Sequence, residues 1–369
     1  MFFCIGPVAD SRFPNNYKID RLWFNCDNGW REISAGKWYK GYPENYCQIE
    51  FDSTGARVLH DQFRSFPLWH NYHTVTNLVC PEATQQIWAD DQCVIDHTGQ
   101  VKVNKVSLDL TIADRTISVA EAQQQIQTIL DSTVQSFFDQ FDIEPKVFLS
   151  GGVDTLLIYS LLHSHEKNMS LVKESIYEQD HFVQTNQQIL KSYWAYCQFH
   201  HWLQPVWLAT GSHGDEYLLR GPETIALLTA WHDIEFEKIL LKNPHCYHYK
   251  YFLKEKNLQI FRRYWEQRHE LQTTYDTKEK LIQQILNILV NDHQHWHLGN
   301  TLTWTPLRNI QLAKILLQCD IQALLPQFLD ASISKALIDV YQPGTSQFAS
   351  NYKNFDHTQN LDSFLANIL

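Results

Sequence analysis

The sequence predicts two domains, a β-rich one followed by an α/β one built on a parallel sheet, with a helical C-terminal part. Three observations predict this. The chain has 369 residues, more than one hydrophobic core comfortably serves. Up to about residue 115, short apolar or alternating runs lie between turn signals. From Ser118 the apolar period changes to that of helices, and strand-like and helix-like segments then alternate.

Each element has a local reason. Leu22-Trp23-Phe24, Gln48-Ile49-Glu50-Phe51, Arg57-Val58-Leu59 and Gln92-Cys93-Val94-Ile95 read as strands, punctuated at Asp27-Asn28-Gly29, Thr54-Gly55 and Thr98-Gly99. Ser118 and Glu121 stand at capping-box spacing. Ile126, Ile129, Leu130, Val134, Phe137, Phe138 and Phe141 then recur at helical spacing. The boundary is expected near 111–118, giving domains 1–115 and 116–369. A helix over roughly 182–200 precedes a strand at Val206–Ala209. Beyond Tyr217 nearly everything reads as helix, including Leu281–Val290 and Ala313–Leu317.

Composition narrows the function classes. Hydrophobic residues make up 44% and charged residues 19%, which describes a filled globular chain. The formal charge of −11 argues against a nucleic acid partner, because phosphate binding needs a basic face. No run of 18 apolar residues and no basic leader is present, so no membrane span or secretion signal is read. Eight scattered cysteines with no C-x-x-C suit reduced thiols and a cytoplasmic location.

The chemistry concentrates in two loops. Val147-Phe148-Leu149 ends a buried strand, Ser150-Gly151-Gly152 turns tightly, and Asp154-Thr155 with Leu156, Leu157 and Ile158 opens a helix. Glycines let backbone N–H groups approach an anion, and the helix dipole favours negative charge there. Neither the Walker-type nor the dinucleotide glycine pattern is present. The second loop, Thr210-Gly211-Ser212-His213-Gly214-Asp215-Glu216-Tyr217, also follows an apolar strand and precedes a helix. Loops at strand C-termini of a parallel sheet cluster on one edge, so Asp154 and Asp215 are expected to face one site. Two carboxylates there suit Mg²⁺ bound together with the oxygens of a phosphate ligand.

The first loop resembles the S-G-G-x-D-S pyrophosphate loop of the PP-loop ATP pyrophosphatases, with Thr155 keeping the last hydroxyl. The pair of loops resembles the synthetase domain of the asparagine synthetase-like family, whose relatives include β-lactam synthetase and the lasso-peptide cyclases. Phe51–Trp69 is similar to a segment of that family's glutaminase domain, and Ser334-Lys335-Ala336-Leu337 to its late lysine motif. The resemblance implies an N-terminal Ntn-hydrolase-like domain and a C-terminal PP-loop domain. It implies that Leu149, Ser150, Gly151, Gly152, Asp154, Thr155, Gly211 and Gly214 bind ATP. It also implies that Asp154 and Asp215 hold Mg²⁺, and that Lys335 and Glu216 serve catalysis. The implied reaction joins a small-molecule carboxylate, through its adenylate, to an amine or ammonia, with release of AMP and pyrophosphate. The sequence alone does not read out an oligomeric state, while the resemblance allows a homodimer.

The departures shape that expectation. Glutamine-dependent members carry the nucleophile Cys at position 2, where this chain has Phe2; Cys4 reads as a small buried residue of the first strand. His60-Asp61 stands where the family has Arg-Asp, and Ser212 where it has Glu. Glutaminase activity is therefore not expected, nor is asparagine the expected product. A degenerate nucleotide-binding or scaffold relative and a base-modifying PP-loop enzyme are the alternatives.

Ordinary roles compete at each position. Asp154 and Asp215 suit helix N-caps, Glu216 a solvated first turn and Lys335 a helix surface. His293, His295 and His297, with His245 and His248, look ligand-like, but their aromatic neighbours favour packing over structural zinc. Thr305-Pro306-Leu307-Arg308-Asn309 is either a segment closing over the site or a helix start with Pro306 in its first turn.

Overall fold

In a computed structural model, residues 3–11, 15–26, 37–42, 45–60, 68–76, 85–88, 90–140, 144–173, 206–291, 301–349 and 366 are described. The fold is mixed α/β and divides into two compact units. The first holds Met1–Asp109, Ser175–Leu208 and Val290–Thr303; the second holds Leu110–Glu174, Ala209–Leu289 and Trp304–Leu369. The first division thus falls between Asp109 and Leu110, just ahead of the expected stretch, and the β-rich unit also takes two later segments.

The β-rich unit begins with strands β1 (Phe3–Gly6), β2 (Asn15–Ile19), β3 (Leu22–Cys26), β4 (Lys37–Tyr42), β5 (Asn45–Asp52) and β6 (Gly55–His60). It continues with β7 (Trp69–His70), β8 (Val75–Thr76), β9 (Gln85–Gln86), β10 (Asp91–Asp96) and β11 (Val101–Lys105). They form two sheets, ordered β2-β3-β1-β8-β7-β9 and β11-β10-β6-β5-β4. Neighbours pair antiparallel, with registers such as Ile5↔Phe24 and Cys93↔Val58. Period-two alternation sends Cys93 and Ile95 of β10 and Ala56 and Val58 of β6 inward. They share one core with Phe3, Ile5, Leu22 and Phe24 of the other sheet, and the Phe24 and Phe51 rings meet edge-on at 5.8 Å. Cys4, in β1, is 6% exposed, as a small residue packed in a strand should be. His60 at the end of β6 bonds the Asp91 carbonyl through Nε2 at 2.7 Å; Asp61 lies outside the described residues.

The second unit opens with helix α1 (Val119–Gln140). The Glu121 amide donates to Ser118 Oγ at 3.1 Å, which is half of the expected capping box. The Glu121 carboxylate pairs with Arg115 at 3.0 Å. Ala122, Ile126, Leu130, Val134 and Phe137 form the buried stripe. Strand β12 (Lys146–Leu149), helix α2 (Val153–Ser164) and strand β13 (Ser170–Lys173) then make a β-α-β unit. β12 and β13 run parallel, in register from Lys146↔Ser170 to Leu149↔Lys173.

Strand β14 (Val206–Ala209) falls where the sequence put it. The helices α3 (Gly214–Tyr217), α4 (Pro222–Trp231), α5 (Phe236–Lys242), α6 (Tyr249–Phe252), α7 (Glu255–Glu266), α8 (Arg268–Thr274) and α9 (Lys278–Asn291) follow. After strand β15 (Thr301–Trp304) come α10 (Ile310–Leu316), α11 (Ile321–Asp330) and α12 (Ser332–Tyr341). β15 interrupts a region expected to be helical. The helix expected over 182–200 lies outside the described residues, as do His293, His295 and His297. Among the described residues, no helix is long and apolar enough to cross a membrane.

Candidate functional site

All the loops of interest belong to the α/β unit. Leu149 ends β12 and is buried, and the turn from it into α2 needs Gly151, whose φ of +77° lies in the left-handed region. Hydroxyls stiffen the turn. Ser150 N–H donates to Thr155 Oγ1 at 3.3 Å, Gly152 N–H to Ser150 Oγ at 3.2 Å, and Thr155 Oγ1 to the Gly152 carbonyl at 3.0 Å. The two hydroxyls themselves are 3.1 Å apart. α2 has no side-chain cap; instead its first amide, Val153 N–H, donates to the Tyr247 hydroxyl at 3.0 Å.

The second loop is tied to the first by two glycines. A Cβ at Gly211 would come within 2.4 Å of the Asp154 carbonyl carbon and 2.6 Å of the Thr155 nitrogen. A Cβ at Gly214 would come within 2.4 Å of Asp154 Cγ. Any side chain at either position would push the loops apart. Within the loop, Thr210 Oγ1 accepts from Ser212 N–H at 3.2 Å and donates to Ser212 Oγ at 3.0 Å, while His213 takes a φ of +67°. Asp154 is therefore enclosed by the loop that presents Asp215 and Glu216. The strand–glycine–helix pattern of both segments has brought the expected carboxylates together.

Arg220 was not expected, and it organises the cluster. Leu219 takes a φ of +55° just after α3 and turns the chain, so that the Arg220 side chain enters the interior with no solvent exposure. Its Nη2 donates to Asp154 Oδ1 and lies 3.1 Å from Asp215 Oδ1. Its Nη1 is 3.3 Å from His248 Nε2. Its Nε has no hydrogen-bond partner among the described residues. The two carboxylates beside it are 17% and 18% exposed, so the cluster stands at the edge of the interior.

Charge explains the electrostatics. Asp154 and Asp215 contact one guanidinium, and Glu216 feels the charges of all three. Burial first, opposed by Arg220 and reinforced by Asp215, pushes the Asp154 carboxyl up to about 7. Burial and then Asp215 push Glu216 up to about 8. The surrounding carboxylates keep Arg220 charged against the effect of its burial. Burial and the neighbouring Arg220 hold His248 well below the usual imidazole range, so the ring is neutral and its Nε2 accepts from Nη1.

Lys335 lies in α12, and its ammonium stands 4.7 Å from the centre of the Tyr247 ring. Burial lowers its pKa from the ordinary lysine value, with Arg220 acting in the same direction. Lys335 is thus linked to the first turn of α2 through one phenol. Arg308, by contrast, is wholly buried in the turn before α10, and Asn309 rather than Pro306 starts that helix, its Oδ1 accepting from Gln311 N–H at 2.9 Å. Of the histidines considered as metal ligands, His248 is engaged with Arg220, and His245 is exposed. Among the described residues, no group of three or more His, Cys, Asp or Glu is arranged to hold a metal ion.

Arg220 and Tyr247 are the residues that sequence reasoning missed, while His248, considered there as a metal ligand, faces Arg220 instead. One signal was available, an arginine closing the apolar run Tyr217-Leu218-Leu219 five residues after Asp215. Compared with known proteins, the chain matches no family model and no curated sequence.

Proposed function

We propose that this protein is an ATP-dependent amide-forming ligase of the asparagine synthetase-like kind, with an Ntn-like β unit and a PP-loop α/β unit. It would adenylate a small-molecule carboxylate, release pyrophosphate and pass the acyl group to an amine or to free ammonia. The observation that supports this most is the close approach of Gly211 and Gly214 to Asp154, which draws two strand-to-helix loops onto one carboxylate. An anion at the start of α2 meets the helix dipole and the amides of Ser150, Gly152 and Val153. Those amides now bond hydroxyls of Thr155, Ser150 and Tyr247, which an incoming phosphate would displace or share.

In that reading, the Ser150–Gly152 turn holds the leaving pyrophosphate and Lys335 offsets charge developing on the α-phosphate. Glu216, with its raised pKa, is suited to exchange a proton with the attacking amine. The carboxylates of Asp154 and Asp215 are hard donors of the kind Mg²⁺ takes, but Arg220 Nη2 stands between them. A resident ion does not fit that point, so no step is routed through one; Mg²⁺ would arrive on the phosphates of ATP.

The test is incubation of the pure protein with ATP, Mg²⁺ and pooled carboxylates and amines, with AMP, ADP and pyrophosphate measured. AMP with pyrophosphate is expected, and Asp154→Asn should abolish both. ADP as the product would sink the reading. Absence of turnover together with absence of ATP binding would favour a scaffold.

A further inference from the structure

We propose that Arg220 is the built-in cation of this carboxylate cluster, and that it excludes a divalent metal ion from the position between Asp154 and Asp215. Three observations lead there. One nitrogen, Nη2, reaches a carboxylate oxygen from each of the two loops, the position a bridging ion would take. The guanidinium is completely buried, and its charge cannot be removed by deprotonation. The guanidinium's anionic contacts are all made at Nη2, to Asp154 and Asp215, while Nη1 faces His248 and Nε makes no hydrogen bond among the described residues.

The surroundings favour the same assignment. His248 offers Nη1 only a neutral ring nitrogen, so the positive charge is not spent on another anion at that end. The left-handed Leu219 and the bond from Arg220 N–H to the Asp215 carbonyl at 2.5 Å aim the side chain back at the loop it leaves. A fixed cation of this sort needs no loading and is indifferent to chelators. It holds the two loops together before any nucleotide arrives. Its consequence for catalysis rests on the ligase reading above; the exclusion of a metal ion does not.

The measurement is Mn²⁺ binding to the whole chain without nucleotide, read as loss of the free-ion electron paramagnetic resonance signal. Wild type is expected to leave the signal unchanged. Arg220→Met, with its fold checked by circular dichroism, is expected to gain a saturable Mn²⁺ site that Asp215→Asn removes again. Where Arg220→Met does not fold, Arg220→Gln takes its place in the same volume range. A wild-type Mn²⁺ site lost in Asp154→Asn would overturn the proposal, as would a folded Arg220 variant that binds no Mn²⁺. ATP binding is measured on the same wild-type preparation in excess chelator. If ATP fails to bind while wild type still excludes Mn²⁺ and the variant takes it up, the ligase reading fails and the assignment of Arg220 stands.

Discussion

Asp52 and Asp96 occupy the same four-residue turn, Asp-x-Thr-Gly, in two hairpins of the β-rich unit, whereas Asp154 and Glu216 belong to the glycine loops of the α/β unit. The same carboxyl chemistry is driven in opposite directions. In the turns, the threonine hydroxyl and backbone amides donate to the carboxylate: Thr54 to Asp52, and Thr98 with Gln100 to Asp96. Both pKa values are lowered, with the threonine side chain as the leading cause. In the glycine loops, burial leads and the values rise. A carboxylate that accepts several donors is held ionised, while carboxyls enclosed together around a single guanidinium are pushed toward their protonated form.

That contrast breaks most visibly with pH. For Asp154 and Glu216 the folded values lie above the unfolded ones, so their stabilising contribution is whole below about pH 4. It is lost as pH rises through about 7 and about 8. The urea midpoint is expected to fall from pH 5 to pH 9, by an amount on the order of a few kcal/mol in stability. The double variant Asp154→Asn, Glu216→Gln should flatten that slope, and a slope unchanged in the variant would refute the cause. Asp52 and Asp96 act with the opposite sign and only at acid pH, where their contribution is lost as pH falls.

A smaller effect comes from Gly211→Ala. Its Cβ meets backbone atoms of Asp154 and Thr155, which cannot swing away as a side chain can. A loss of about 1–3 kcal/mol is expected, the usual range for overpacking, together with loss of AMP formation. Unchanged thermal stability would mean that the loops are not in contact. The smallest effect is expected from Asp96→Asn, where the turn keeps an acceptor for Thr98 and Gln100 and loses only the charge paired with the exposed Lys102; its melting temperature should stay close to that of wild type.

Much of this architecture was legible because its signals are local. Turn dipeptides and period-two runs marked β3, β5, β6 and β10, and a glycine turn after an apolar strand marked the start of α2. Glycines at 211 and 214 were readable as loop residues, but not as the reason Asp154 is enclosed. That depends on how two distant segments pack. Arg220 reaches Asp154 across 66 residues of sequence, and Tyr247 reaches Val153 across 94. No periodicity encodes such pairings. β15 was missed because Thr301–Trp304 is a short run inside a helical stretch, where only a neighbouring strand decides the conformation.

The phenol of Tyr247 has a practical consequence. It accepts from the first amide of α2, feels the charge of Arg220 and carries Lys335 over its face. A fluorine placed beside that hydroxyl would therefore act as a resonance beacon for the whole loop region. Its chemical shift would move when an anion takes the Val153 amide, when the Arg220 contacts change or when Lys335 leaves the ring, and each event could be followed without a substrate in hand.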